Sequence, residues 1–262
     1  MSVRSDYRVT VDDTVWNVRA LGQPAPSLPT IVMVAGLGSG EYLLPHAEEL
    51  ADSRHILVPD MPGFGHSRGP RRLRTVDEFA EALLTFLDAE AGGCADLIGN
   101  SFGTQVVLAA AARRPSAARR VVLVGPTFDR SARSYPRTLA RWLAIATKEP
   151  PALGLSLARS YLQSGLRTPA LALRAAMNDL PEQRIQQMRC PVLIVRGAAD
   201  RIAPMPWVRE LQERAPDAHI AEVAGAAHTV DYAAPRQLAA LTRRFLAIPG
   251  EAQEAASPTT TR

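Results

Sequence analysis

The pentapeptide Gly99–Gly103 (Gly-Asn-Ser-Phe-Gly) constrains the fold more than any other stretch of this chain. It follows an apolar run at 96–98 that is typical of a buried strand, and it precedes a run of small residues at 105–112 that is typical of a buried helix. A strand, Gly-x-Ser-x-Gly and a helix form a nucleophile elbow, in which a tight turn strains the serine backbone and exposes its hydroxyl. We expect both glycines to lie against neighbouring backbone, where a side chain would clash. The motif also occurs by chance in ordinary turns, so the assignment of Ser101 as a nucleophile depends on the residues downstream.

A serine nucleophile needs a base, and the base needs an acid that orients it. After an elbow of this kind the chain order is Ser, then Asp or Glu, then His. Asp200 follows a predicted buried strand at 191–197, and His228 follows a second predicted strand at 219–223. Side chains just beyond the carboxyl ends of parallel strands gather at one edge of the sheet. The sequence therefore predicts Ser101, Asp200 and His228 as a catalytic triad.

Five segments carry a family resemblance, and they occur in the expected order: 35–38, 60–67, 99–103, 197–204 and 225–228. Over roughly residues 9–246 the chain resembles the single-domain, lidded α/β-hydrolases. The resemblance implies an α/β fold with a mostly parallel central sheet of about eight strands, helices on both faces and a small helical lid.

The same resemblance implies the domain organisation. Residues 1–127 and 188–248 would form the core, and residues 128–187 would form a helical lid inserted after the sixth strand. The tail, 249–262, consists mainly of Ala, Pro, Thr and Glu, and we expect it to be disordered because it has little to bury.

Other acids and bases compete with this assignment. Some family members take the triad acid from the position of Asp129, which makes it the alternative to Asp200. Asp231 is interpreted as an ordinary carboxylate in a loop or at a helix start. His46 and His66 are interpreted as residues that make local hydrogen bonds.

The loop at 35–40 resembles the oxyanion loop of the family, and the resemblance implies backbone donors at Leu37 and Phe102. Gly36 is expected to contact the substrate. Many family members have histidine before the glycine, whereas this chain has Ala35. The alternative is a flexible glycine-rich loop without a catalytic role.

The region from 128 to 187 contains no strand-like run, and it has helical patterns at 136–146, 153–162 and 169–178. The first helical pattern carries a stripe of apolar residues at helical spacing, Leu139, Trp142, Leu143 and Ala146. This stripe could line a substrate cavity or merely pack against the protein, and Trp142 is the predicted substrate contact. The region is also rich in arginine, which could attract an anionic substrate or form a solvated surface. These arginines are Arg130, Arg133, Arg137, Arg141, Arg159, Arg167 and Arg174.

Composition excludes several other classes. The net charge of +4 comes without a basic stripe interleaved with aromatic residues, so nucleic-acid binding is not expected. No metal-ligand cluster or nucleotide-binding loop is evident, so neither a metal nor another cofactor is predicted.

No signal-peptide pattern or membrane span is found, and the two cysteines, Cys94 and Cys190, are expected to be small buried residues without a disulfide. We therefore expect a cytoplasmic protein that acts on a small molecule away from membranes, and a homodimer remains open.

The predicted function is a serine hydrolase that cleaves a small ester, thioester or lactone by two-step acyl transfer. Serine at position 101, where related enzymes of this fold use a carboxylate, argues against haloalkane dehalogenase and epoxide hydrolase chemistry. Three alternatives remain: a C–C bond hydrolase of meta-cleavage-type diketones, a transferase or cyclase of secondary metabolism, and a ligand-binding protein with a weakly active triad.

Overall fold

The computed structural model describes residues 4–25, 28–69, 73, 75–130 and 133–247, and an eight-stranded sheet lies at its centre. The strands are β1 (Arg4–Val11), β2 (Thr14–Leu21), β3 (Ile31–Val34), β4 (Ile56–Pro59), β5 (Ala95–Asn100), β6 (Ala118–Val124), β7 (Val192–Gly197) and β8 (Ala218–Val223). They lie side by side in the order β1-β2-β4-β3-β5-β6-β7-β8. This confirms the predicted sheet of about eight strands.

The described residues also form ten α-helices. They are α1 (Leu44–Leu50), α2 (Val76–Glu90), α3 (Phe102–Arg113), α4 (Tyr135–Ala146), α5 (Pro151–Ser164), α6 (Arg167–Asn178), α7 (Pro181–Arg184), α8 (Met205–Arg214), α9 (Val230–Ala233) and α10 (Pro235–Ala247). Helix α2 begins with a capping box: the Thr75 hydroxyl accepts from the backbone N–H of Glu78, and the Glu78 carboxylate accepts from the backbone N–H of Thr75.

The sheet is antiparallel at one edge and parallel elsewhere. Strand β1 pairs antiparallel with β2, and β2 pairs antiparallel with β4. From β4 through β3, β5, β6 and β7 to β8 all pairs are parallel. Strands β3, β4, β5 and β7 are buried along their whole length, as expected for a parallel sheet covered on both faces.

Alternate residues of the central strands point to opposite faces, where they join two separate hydrophobic clusters. Val32 and Val34 of β3 belong to a cluster that includes residues of α2 and α3, whereas Ile31 and Met33 belong to a cluster that includes residues of α1 and α10. Helices therefore cover both faces.

Helices α4 to α7 lie between β6 and β7, where the sequence predicts an inserted segment. Helix α4 begins one residue before its predicted start, and α5 and α6 extend beyond the predicted 153–162 and 169–178. The division into a core and a lid remains a prediction. The predicted disordered tail, 249–262, lies outside the described residues.

One expectation about the cysteines is wrong. Cys94 is exposed, Cys190 is partly exposed, and both are free thiols. Cys94 lies just before β5 and Cys190 two residues before β7, so both lie in connecting segments beside the sheet, where their side chains reach solvent.

Across the described part of the chain, the helices are either too short or too polar to cross a membrane.

Candidate active site

Ser101 lies between β5 and α3, and its backbone has the strained conformation expected for an elbow. Its φ of 54° and ψ of −120° place it in a region that non-glycine residues rarely occupy. A Cβ at Gly99 would lie 2.5 Å from the Gly103 carbonyl oxygen, and a Cβ at Gly103 would lie 2.1 Å from the Val34 carbonyl oxygen. Glycine is therefore required at both positions, which confirms the steric prediction.

His228 contacts both other members of the predicted triad. Its Nε2 lies 2.9 Å from Ser101 Oγ, and its Nδ1 lies 2.9 Å from Asp200 Oδ2. Gly125, at the end of β6, leaves room for this ring, because a Cβ there would lie 2.9 Å from Nδ1. The structure thus brings together three residues that are 127 and 28 positions apart in the chain.

The electrostatics of the pair favour its charged form. Burial alone would lower the pKa of His228, but the charge and hydrogen bond of Asp200, with the charges of Glu149 and Asp231, raise that pKa above its usual 6.5. Burial alone would raise the pKa of Asp200, but His228 and two backbone N–H donors lower that pKa below 3.8. An imidazolium formed during a reaction would therefore be stabilised by a carboxylate that stays ionised.

The loop that carries Asp200 is held from both sides. The second oxygen of Asp200 accepts from the backbone N–H groups of Ile202 (2.7 Å) and Ala203 (3.1 Å). Arg196, at the end of β7, donates to the carbonyl oxygens of Ala203 (3.0 Å), Asp200 (3.0 Å) and Ala198 (3.2 Å), and it pairs with Glu222. Sequence reasoning did not single out Arg196, since an arginine near a strand end is uninformative until its partners are known.

The alternative acid, Asp129, has a different partner. Its carboxylate forms an ion pair with Arg141 of α4. The Nδ1 of His228 is bonded instead to Asp200. The geometry therefore favours Asp200 as the acid, and Asp129 connects α4 to the loop after β6.

The predicted oxyanion loop lies beside the serine. A Cβ at Gly36 would lie 3.0 Å from Ser101 Cβ and 3.4 Å from its Oγ, so Gly36 borders the reacting hydroxyl. The N–H of Gly36 is already used, since it donates to the Tyr42 hydroxyl at 2.6 Å. Among the hydrogen bonds of the described residues, none is donated by the N–H of Leu37 or of Phe102. The role of both groups as oxyanion donors remains a prediction.

Behind the site runs a buried chain of hydrogen bonds that the sequence did not predict. The Tyr42 hydroxyl donates to Asn100 Oδ1 (2.9 Å), and the Asn100 amide donates to Asp231 Oδ2 (2.9 Å). The other oxygen of Asp231 accepts from His46 Nδ1 (2.9 Å). Asp231 lies in the first turn of α9, as one of the two interpretations has it, but its carboxylate is fully buried. The interpretation of His46 as a locally bonded residue is wrong, because its partner Asp231 is 185 positions away.

Trp142 is half-buried and lines a small cavity with Phe128, Thr138, Arg141 and Ile202. It thus lies near the loop that follows Asp200, and its role as a substrate contact remains a prediction. The rest of the predicted stripe does not pack inward: Leu139 is 56% exposed, Leu143 is 66% exposed, and Thr138 and Ile145 are the buried residues of α4.

Of the seven arginines named in the sequence analysis, Arg130, Arg133 and Arg141 form ion pairs. Arg130 and Arg133 both pair with Glu182, Arg130 also reaches Glu210, and Arg141 pairs with Asp129. These three charges are therefore largely neutralised by their partners. Arg159, Arg167 and Arg174 are exposed.

A groove of about 490 Å³ borders the acid loop, and its lining includes Lys148, Arg196 and Arg201. Ser101 and His228 do not line it. Within the described residues, no group of three or more His, Cys, Asp or Glu side chains is placed to hold a metal ion.

An eight-stranded, mostly parallel sheet, with a serine in an elbow and a histidine–aspartate pair beside it, defines the α/β-hydrolase class. The sequence profile of the Alpha/beta hydrolase family matches residues 31–241, so the chain belongs to this family.

Individual relatives differ in their activities. The chain is 30% identical over 209 residues to the 2-hydroxymuconate semialdehyde hydrolase of Pseudomonas sp. (strain CF600), an alignment that covers 67% of this chain and 71% of that one. It is 32% identical over 77% of its length to the polyketide synthase ThaQ of Burkholderia thailandensis, but spans only 11% of that protein. The enol-lactonase of Burkholderia xenovorans LB400 superposes with a TM-score of 0.79 at 21% identity, over 92% of this chain and 99% of that one, and shows the shared fold.

Proposed function

We propose that the chain is a serine hydrolase that cleaves a small ester, thioester or lactone by two-step acyl transfer. The observation that carries the proposal is the row of contacts from Ser101 Oγ to His228 Nε2 and from His228 Nδ1 to Asp200 Oδ2, each at 2.9 Å. A serine hydroxyl becomes a useful nucleophile only beside a base that is held in the correct tautomer, and this row supplies both.

In the first step Ser101 Oγ attacks the substrate carbonyl carbon while its proton moves to His228 Nε2. Asp200 keeps the other imidazole proton on Nδ1, so Nε2 can accept, and the ionised carboxylate stabilises the imidazolium that forms. The carbonyl π electrons move to the oxygen, which gives a tetrahedral intermediate with one negative charge.

The backbone N–H groups of Leu37 and Phe102 would bind that negative oxygen. Phe102 is the first residue of α3, so its N–H also lies at the positive end of a helix. Donors that are fixed before the reaction begins stabilise developing charge without reorganising, and each such donor typically contributes about 10²–10³ in rate.

The intermediate collapses when the bond to the leaving group breaks and His228 returns its proton to that group, leaving an acyl-serine. A water molecule then repeats the sequence: its proton goes to His228, its oxygen attacks the acyl carbon, and Ser101 Oγ takes the proton back as it leaves. The net reaction adds water across the ester-like bond.

A second candidate is hydrolysis of a C–C bond in a meta-cleavage-type diketone. The relative that is named 2-hydroxymuconate semialdehyde hydrolase, at 30% identity, favours it. The same serine, histidine and aspartate would serve both reactions, so the position of Ser101 does not separate them.

We further propose that residues 128–187 form a helical lid over the core formed by 1–127 and 188–248. The proposal is supported by the position of α4 to α6, which follow the sixth strand and contact loops on the side of the sheet that carries Ser101. Gly38 and Gly63 meet this segment directly: a Cβ at Gly38 would lie 3.1 Å from Leu157, and a Cβ at Gly63 would lie 2.8 Å from Thr168.

The test is a panel of p-nitrophenyl esters, acyl thioesters, lactones and a vinylogous 1,5-diketone, measured with the native protein and Ser101→Ala. We expect turnover of at least one class, and a loss on the order of 10³-fold or more in the variant. Ser116→Ala, at an exposed serine, is the matched control and should retain full activity. Retention of turnover by Ser101→Ala would overturn the proposal, and a preference for the diketone would favour the second candidate.

A further inference from the structure

Glu149 lies in the connection between α4 and α5, and its carboxylate reaches the loop that carries the proposed base. One of its oxygens accepts from the backbone N–H of His228 at 2.7 Å and from that of Thr229 at 2.9 Å. These partners are 79 and 80 positions away in the chain. A residue of the inserted segment therefore holds the backbone on which the base is carried.

The same segment also holds the proposed oxyanion loop. Ser160 of α5 is 2% exposed, and its hydroxyl accepts from the backbone N–H of Ser39 at 2.8 Å. Ser39 is two residues beyond Leu37, and Leu157, one helical turn before Ser160, lies against Gly38. Both halves of the proposed catalytic machinery are thus bonded to one short stretch of chain.

A single helix joins the two contacts. Helix α5 begins at Pro151, two residues after Glu149, and includes Ser160. Nine helical steps of 1.5 Å separate Pro151 from Ser160, or about 14 Å. Because a helix is stiff, the distance between the base loop and the oxyanion loop is fixed by α5 when both contacts are made.

We propose that α5 and its preceding turn position the catalytic machinery: Glu149 positions His228, and Ser160 positions the oxyanion loop. The inserted helices would then complete the active site rather than only cover it. This inference rests on the proposed function, since it assigns Glu149 and Ser160 to the same site. Neither residue is assigned a contact with the substrate, so both are positioning residues.

Glu149 also acts on the base through its charge. Among the described residues, the largest charge effects on His228 come from Asp200, Glu149 and Asp231, and all three favour the imidazolium. Removal of one of these charges lowers the pKa of His228. The acidic limb of the pH–rate profile, in which the rate falls as His228 becomes protonated, should therefore move to lower pH. Glu149→Gln removes the charge and keeps an oxygen acceptor for the two N–H groups, whereas Glu149→Ala removes both.

The experiment measures the rate at which a fluorophosphonate probe labels Ser101, from pH 4 to 9, together with kcat and KM for p-nitrophenyl acetate. We expect Glu149→Ala to lower kcat and the labelling rate by about 10–100-fold with little change in KM, because a small displacement of a catalytic group has an effect of this size. Glu149→Gln should keep most of the rate and shift the acidic limb to lower pH. Ser160→Ala should lower kcat by about tenfold without moving the limb.

Lys148→Ala is the matched control, since it changes an exposed neighbour of opposite charge and should not move the limb to lower pH. Native rates and an unmoved limb in both Glu149 variants would overturn the inference. If Glu149→Ala does not fold, the pH position of the acidic limb in Glu149→Gln alone tests whether Glu149 acts on His228. Absence of labelling in the native protein contradicts the proposed function instead, so the two failures are distinguishable.

Discussion

Replacing Asp200 with asparagine exchanges one carboxylate oxygen, the one that faces His228 Nδ1, for an amide nitrogen. Asparagine has nearly the same shape, and its oxygen can still accept from the N–H groups of Ile202 and Ala203. Its amide NH₂ would face His228 Nδ1, which lies 2.9 Å from the carboxylate in the native protein. That nitrogen must then accept, so the ring proton moves to Nε2.

The loss of activity in Asp200→Asn follows from this change of tautomer. With its proton on Nε2, His228 donates to Ser101 Oγ instead of accepting from it, and general-base catalysis is lost although the geometry is kept. We expect kcat to fall by about 10³–10⁴, which corresponds to about 4–5 kcal/mol in the activation barrier. The variant also loses the charge that raises the pKa of His228, so the residual activity should persist to lower pH than in the native protein.

Asp129→Asn is the matched control for this assay, since it removes the alternative acid. Its carboxylate pairs with Arg141, so we expect a loss of about 1–3 kcal/mol in the free energy of unfolding with little change in kcat. Steady-state kinetics from pH 5 to 9 and urea denaturation of both variants decide the matter. A larger loss of kcat in Asp129→Asn than in Asp200→Asn would contradict the assignment of Asp200 and identify Asp129, in the loop after β6, as the acid.

Two further predictions concern the surroundings of the site. Tyr42→Phe should lower the free energy of unfolding by about 2–4 kcal/mol, because it leaves the buried Gly36 N–H and the Asn100 carbonyl without a partner, and urea denaturation measures this loss. In the native protein kcat/KM should fall as the pH drops through the raised pKa of His228, since only the neutral ring accepts a proton, so the half-maximal pH should lie above 6.5. A half-maximal pH clearly below 6.5 would contradict that assignment.

The sequence predicted those features that depend on local geometry. The elbow and the apolar strands are each encoded within a few residues, because a tight turn and a buried strand each restrict the residue types they accept. The order of serine, aspartate and histidine adds long-range information, because each follows a predicted strand and parallel strands end at one edge.

The features that were missed depend on partners far away in the chain. Tyr42 and Asn100 are 58 positions apart, Asn100 and Asp231 are 131 apart, and His46 and Asp231 are 185 apart. Nothing in a spacing of that length shows that two polar side chains meet. The same holds for Glu149, whose surroundings in the sequence do not distinguish it from any other acidic residue on the surface of the protein.

The interpretation of the α4 stripe as a packed face is wrong for a different reason, and its interpretation as the lining of a substrate cavity stays a prediction. Leu139 and Leu143 have the spacing of a packed face, but they are exposed, and the neighbouring face that carries Thr138 and Ile145 packs instead. A helical pattern gives the period of the apolar residues but not the side on which the rest of the protein lies.

Two-step acyl transfer requires that Ser101 forms a covalent acyl intermediate. Intact-protein mass spectrometry after rapid mixing with p-nitrophenyl butyrate, followed by peptide mapping, tests it directly. We expect a mass increase of one butyryl group, about 70 Da, on the peptide that contains Ser101, accumulating in the first turnover and absent from Ser101→Ala. An adduct on a different residue, or turnover of the ester with no adduct at any mixing time in the native protein or in the slowed Asp200→Asn variant, would contradict it.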